Sequence, residues 1–133
     1  KKGHNVVMVP SAYLYLNFYN TTRKKELEPL CNTNALPLKK IYDYSPYPKQ
    51  LSENEQSYVI GMQGCLWTEY CKTTEQADQL TFPRMCAVAE TSWNGGEKDF
   101  DDFYKRLKVN IPALKYYGVK YSELFLLPEN NHY

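Results

Sequence analysis

No apolar stretch in these 133 residues approaches the roughly 18 residues of a bilayer-spanning helix, and the opening residues lack the form of a signal peptide. Nor is charge of one sign in excess. Sixteen Lys and Arg stand against fifteen Asp and Glu, for a net charge of +1. With no long block of either sign, the chain has no electrostatic footprint for nucleic acid or an anionic membrane, and a neutral partner is expected. Histidine is scarce: His4 and His132 lie at opposite ends, neither in a metal-ligand spacing, and both are expected to be solvated. The four cysteines, Cys31, Cys65, Cys71 and Cys86, show no C-x-x-C pair and are too sparse for a disulfide scaffold, so neither a metal nor a cofactor is expected. Cys65 lies in an apolar run and Cys86 on a helical apolar face, which suits buried free thiols. No segment repeats and none is of low complexity.

Tyrosine, by contrast, is abundant, with thirteen residues against five phenylalanines. Its ring packs while its hydroxyl hydrogen-bonds, which suits sugar sites and half-exposed surfaces equally. The most informative stretch runs from Gly61 to Tyr70, where an apolar run ends in Trp67-Thr68-Glu69. If a strand's period of two holds there, Trp67 and Glu69 face the same side. A flat indole could then cover the C–H face of a sugar ring or a methyl group while the carboxylate accepts from hydroxyls. The competing reading is a core tryptophan beside a glutamate that caps or pairs locally.

Along the chain, Val6 to Val9 is a short β-branched run stopped by Pro10, expected as a parallel strand covered on both faces. Tyr13 to Tyr19 alternates, with Leu14, Leu16 and Phe18 on one side, as an extended segment or a loop across a pocket. Residues 20–50 are proline-rich and read mostly as connection, with one short helix at Leu38 to Tyr42. Ser52-Glu53-Asn54-Glu55 has capping-box form ahead of a buried strand from Tyr58 to Leu66. Thr73 and Thr74 open a helical stretch to Trp93, broken near Pro83 and ended by Gly95-Gly96. Asp99 caps a last helix in which Phe103, Leu107, Ile111 and Leu114 form a core face, with Gly118 at its C-terminal end. Asn20-Thr21-Thr22 has the N-glycosylation form. Asp99, Asp101 and Asp102 lack the rest of a calcium loop and suit helix capping better. Two strands cannot make a sheet buried on both faces, so the remainder of the sheet is expected outside these residues, and the chain is read as part of a longer protein.

Taken in order, several motifs resemble glycoside hydrolase family 20, the β-N-acetylhexosaminidases. They are Gly3-His4-Asn5-Val6-Val7-Met8, Tyr13 to Tyr19, Ile41-Tyr42-Asp43-Tyr44-Ser45-Pro46, Gly61 to Tyr70, Phe82-Pro83-Arg84-Met85, Ala87 to Trp93 and Tyr117-Gly118-Val119-Lys120-Tyr121. The resemblance implies an α/β fold, the C-terminal portion of a (β/α)8 TIM barrel. Strands 7 and 8 with their following helices occupy residues 1–133 without a second domain, incomplete on their own, and the site lies at the C-terminal strand ends. It implies hydrolysis of terminal β-linked N-acetylglucosamine or N-acetylgalactosamine with the substrate's acetamide as nucleophile, an exception to the two-carboxylate scheme. Tyr15 resembles the tyrosine that orients the acetamide, Trp67 a wall of the acetamide pocket, and Glu69 a carboxylate that binds sugar hydroxyls. Asn17 stands where many relatives carry an aspartate that also binds hydroxyls. Glu90 and Trp93 recur in the family at positions suited to packing and support.

The family's His-x-Gly-Gly-Asp-Glu segment, bearing the general acid and its aspartate partner, is absent from the 133 residues. The chain alone is therefore expected to be inactive. The resemblance further implies a glycan ending in N-acetylhexosamine as substrate, the remainder of the barrel or another copy of the chain as partner, and an extracytoplasmic location. The alternative is a non-catalytic carbohydrate-binding or interaction module built on the same aromatics.

Overall fold

The computed structural model describes residues 2–22, 31–94 and 97–127. The first strand, β1 (Val6–Met8), pairs in parallel with β4 (Val59–Met62), matching Val6 to Val59, Val7 to Gly61 and Met8 to Met62 across an irregularity between Val6 and Val7. The two strands are thus neighbours in space despite about 50 intervening residues, as a parallel crossover requires. Beyond β4 the ladder resumes at one point. Tyr15 bridges Cys65 in parallel, with Leu16 N–H donating to Cys65 O at 2.7 Å and Cys65 N–H to Leu14 O at 2.8 Å.

Within the described residues these strands are barer and shorter than expected. Val6 and Val7 are exposed and Ile60 is 62 % exposed, so the ribbon is not covered on both faces. The expected strand from Tyr58 to Leu66 is also cut to four residues and an isolated bridge. Among the described residues α5 reaches β4 and Val59 is buried, but nothing covers the Val6, Val7 and Ile60 side chains, and apolar composition cannot bury a face by itself.

Between β1 and β4, Ser11–Leu14 forms a single helical turn, α1, and Leu16 and Asn17 turn the chain into β2 (Phe18–Tyr19). The expected alternation holds for Leu14, Leu16 and Phe18, which are buried, but Asn17 and Tyr19 are buried too. β2 pairs in parallel with β3 (Asn32–Ala35), a strand inside the stretch read as connection. Asn-Thr-Asn-Ala has no apolar pattern to announce it. Helix α2 (Leu38–Tyr42) follows with Pro37 as its N-cap, and α3 (Glu53–Gln56) carries a complete capping box. There Ser52 Oγ accepts from Glu55 N–H at 3.4 Å while Ser52 N–H donates to the Glu55 carboxylate at 3.0 Å.

The Thr73 hydroxyl caps α4 (Thr74–Thr81), a cis Phe82–Pro83 bond follows, and α5 (Arg84–Trp93) begins at once. The expected Gly95-Gly96 stop lies outside the described residues. The Asp99 carboxylate caps α6 (Phe100–Tyr116), accepting from Asp102 N–H at 2.9 Å. Gly118, at φ 73°, closes α6 as a Schellman motif, with Gly118 N–H on Lys115 O at 3.0 Å and Val119 N–H on Leu114 O at 2.9 Å.

α5 packs against α2, α4 and β4. Its Ala87 and Val88 meet Leu14, Leu16, Leu36 and Ile41 in the main core. Phe103 and Leu107 of α6 reach the same core, whereas Ile111 and Leu114 are only half-buried. Phe103 stacks on Tyr42 at 4.9 Å between ring centroids. Full burial of each such side chain stabilises by roughly 1.5–3 kcal/mol. Cys31 is buried, but Cys65 and Cys86 are half-buried rather than buried. His4 is exposed, and His132 lies outside the described residues.

Candidate functional site

The Tyr15–Cys65 bridge brings the chain after β1 and the chain after β4 side by side, and each arrives carrying two of the candidate side chains. Tyr15 and Asn17 come from the turn that follows α1; Trp67 and Glu69 come from the loop that follows β4. Across the gap the Tyr15 and Trp67 rings approach to 6.1 Å between centroids, tilted by 50°. Asn17 Nδ2 donates to Glu69 Oε1 at 3.3 Å. Residues about 50 positions apart thus form one cluster, with an aromatic pair beside a polar pair.

Exposure divides the four. Asn17 is buried and Tyr15 half-buried, whereas Trp67 is 54 % exposed and Glu69 exposed. The indole is therefore not a core tryptophan: over half of its surface is open to a ligand, as covering an apolar sugar face requires. The Glu69 carboxylate has one of its two oxygens engaged by Asn17, and a carboxylate can accept several more hydrogen bonds from hydroxyls. Asn17 Oδ1 is buried with no hydrogen-bond partner among the described residues, so the side chain has unused acceptor capacity. The amide matters at this position. An ionised aspartate at the same separation would repel Glu69, whereas Asn17 donates to it.

The Cys71 and Cys86 thiols are not poised as nucleophiles. Burial, and after it the negative charge of Glu69, push the Cys71 thiol up, and burial raises Cys86. Among the described residues no group of three His, Cys, Asp or Glu side chains could hold a metal ion. Asn20 is buried and its Nδ2 donates to Gln79 O at 3.4 Å, so in the folded chain this amide is turned away from a glycosylating enzyme. Trp93 is 90 % exposed and so does not pack as expected, and Glu90 is engaged by Arg106 at 2.6 Å and 3.2 Å.

This geometry can be set beside known proteins. The family model for the glycosyl hydrolase family 20 catalytic domain matches residues 1–96. The chain belongs to that family. It is 39 % identical over 121 residues to a β-hexosaminidase of Porphyromonas gingivalis, covering 90 % of this chain and 15 % of that protein. It is 30 % identical over 112 residues to a β-N-acetylhexosaminidase of Cellulomonas fimi, covering 83 % and 22 %. Among solved structures it resembles the family 20 exo-β-N-acetylglucosaminidase of Vibrio harveyi in complex with N-acetylglucosamine, with a TM-score of 0.81 and 31 % identity over 92 % of this chain and 19 % of that one. The Streptomyces coelicolor β-N-acetylhexosaminidase gives a TM-score of 0.78 at 27 % identity, covering 95 % and 25 %. This family 20 chain is accordingly a part of the TIM barrel, with β1 and β4 as neighbouring barrel strands.

One buried charged residue behind the cluster was not singled out for a role from the sequence. Arg84 is 1 % exposed, and its guanidinium is surrounded by main-chain carbonyls of Leu16, Phe18, Leu36 and Leu80. A signal was present. Arg84 follows Pro83 at the first position of α5, where the helix dipole disfavours a cation, so a second interaction had to hold it there.

Proposed function

We propose that this family 20 chain is the sugar-binding part of a β-N-acetylhexosaminidase that removes terminal β-linked N-acetylglucosamine or N-acetylgalactosamine. The observation that carries the reading is the convergence of Tyr15, Asn17, Trp67 and Glu69 from two segments into one cluster whose indole and carboxylate are open to solvent. Relatives named as hexosaminidases support it.

In the reaction the substrate's acetamide oxygen attacks its own anomeric carbon. Tyr15 donates a hydrogen bond to that oxygen and aligns it, Trp67 covers the acetamide methyl, and Glu69 with Asn17 binds ring hydroxyls. The acid that protonates the leaving oxygen and the aspartate that steadies the oxazolinium ion come from another part of the barrel. The chain alone therefore binds sugar but does not cleave it. In its working form it is completed by the rest of the barrel or by a second copy, in an extracytoplasmic compartment.

The test compares the isolated chain with the longer polypeptide that carries it, on a nitrophenyl N-acetyl-β-glucosaminide and on the plain glucoside. The longer polypeptide turns over the first and discriminates against the second, and the isolated chain turns over neither. Trp67→Ala abolishes the discrimination and Tyr15→Phe lowers kcat more than it raises KM. Turnover by the isolated chain that survives a contaminant control overturns the division of labour. Full discrimination by folded Trp67→Ala overturns the assignment of the indole.

A further inference from the structure

Arg84 carries a full charge into the interior, which is unfavourable by several kcal/mol unless the guanidinium is hydrogen-bonded. Its donors are used. Nε donates to Leu80 O at 3.1 Å. Nη1 donates to Phe18 O at 3.0 Å and Leu36 O at 3.2 Å and lies 3.5 Å from Tyr19 O, while Nη2 donates to Leu16 O and Leu80 O.

These carbonyls are not scattered. Leu16 O and Phe18 O flank Asn17, in a turn closed only weakly by Phe18 N–H on Tyr15 O at 3.4 Å. A turn leaves carbonyls that no ladder satisfies, and Arg84 supplies the donors from inside the protein. Leu80 O belongs to the last turn of α4, where orphan carbonyls and the helix dipole favour a cation. Leu36 O comes from the end of the β3 segment. A planar fork with fixed donor directions therefore ties the turn bearing Tyr15 and Asn17 to α4 and β3, while the Cys65 backbone ties its other side to the strand leading to Trp67 and Glu69.

We propose that Arg84 is a positioning residue for the sugar site. Its guanidinium sets the turn from Tyr15 to Phe18 so that Tyr15 and Asn17 meet the sugar, although Arg84 itself lies behind the turn and touches no substrate. The inference rests on the hexosaminidase reading and assigns to the Phe82-Pro83-Arg84-Met85 motif a role in chemistry as well as in packing. A lysine cannot replace Arg84, because a compact ammonium lacks the fork that holds several carbonyls at fixed mutual angles.

The test is a double-mutant cycle of Arg84→Lys and Tyr15→Phe in the longer polypeptide, assayed on nitrophenyl N-acetyl-β-glucosaminide well below each variant's melting temperature. Arg84→Lys lowers kcat about 100-fold, as a misplaced alignment group does, with KM changed by only a few-fold. With Tyr15 already misplaced, adding Tyr15→Phe costs no more than about 3-fold, so the two losses are strongly non-additive. A purely structural Arg84 gives additive losses or an unchanged kcat in the folded fraction, and either overturns the proposal. If wild type shows no turnover, the hexosaminidase reading fails and the proposal falls with it, whereas an active wild type with an additive cycle removes the proposal alone. Should Arg84→Lys not fold, wild type labelled with 15N-arginine decides. The slowly exchanging Nη signals of the buried guanidinium shift when N-acetylglucosamine binds to the turn they hold, and unshifted signals overturn the proposal.

Discussion

The two ends of one parallel ladder differ more than their sequences suggest. At the β1–β4 end, Val6, Val7 and Ile60 pair through the backbone but lie open to solvent. About one turn further along, where Tyr15 bridges Cys65, Leu14 and Leu16 are fully buried under α5, and Arg84 ties the turn from inside. Backbone pairing is common to both ends, so it does not distinguish them. What differs is the second layer. The covered end is completed by this chain's own helices and can hold side chains in fixed positions, as a binding site requires. At the open end Val6, Val7 and Ile60 have no such cover among the described residues.

The largest effect that would test this contrast comes from truncating matched apolar residues. Leu16→Ala destabilises by about 2–5 kcal/mol wherever it is measured, because it empties a packed site. Ile60→Ala stays within about 0.5 kcal/mol in the 133-residue chain and becomes costly only in the longer polypeptide that covers it. Denaturant titrations of both forms check this, and an equal cost for Ile60→Ala in the two would break the comparison. Next in size, Glu69→Gln weakens sugar binding by about 1.5–3 kcal/mol through loss of a charged acceptor, read by calorimetry with N-acetylglucosamine, and leaves the melting temperature nearly unchanged because Glu69 is exposed.

Two glycines on the same segment sharpen the contrast. A Cβ on Gly64 would stand 3.0 Å from Met85 Cε and 3.3 Å from Leu16 Cδ1, whereas one on Gly61 would meet nothing within 4 Å. Gly64→Ala therefore costs about 1–3 kcal/mol by overpacking. Gly61→Ala is neutral or stabilises by up to about 1 kcal/mol through the unfolded chain.

The smallest effect lies in the helices over the covered end. Hydrogen bonding to Arg106 holds the Glu90 carboxyl below its ordinary pKa. A depressed folded pKa contributes stability above the unfolded value, near about 4.3, which is lost as pH falls through the folded value. With Arg106 half-exposed, Arg106→Met should cost about 0.2–1 kcal/mol at pH 7 and nothing measurable at acid pH. Melting curves across that range check it.

Much of the helical layer was legible beforehand because its signals are local. Ser52 with Glu55, Thr73 with Gln76, and Asp99 with Asp102 each satisfy backbone donors within one turn, so a few adjacent residues carry the information. Gly118 could be read as a helix stop because few other residues adopt its positive φ. β3 escaped because Asn32 to Ala35 carry no apolar alternation to announce their backbone pairing. The candidate site was proposed from residue types and a family resemblance, yet neither showed that Asn17 touches Glu69 or that Trp67 stands open.

The sequence by itself determined which residues could cap, turn or bury, and which side chains have the chemistry of a sugar site, because those are properties of single residues and near neighbours. Only the tertiary structure decided that Tyr15, Asn17, Trp67 and Glu69 form one cluster, that Arg84 gathers carbonyls from three segments, and that Leu14 and Leu16 are buried while Val6, Val7 and Ile60 are exposed. Main-chain carbonyls are chemically alike at every position, and burial belongs to the pair of surfaces that meet. Both are settled by what the fold places opposite a residue rather than by the residue itself.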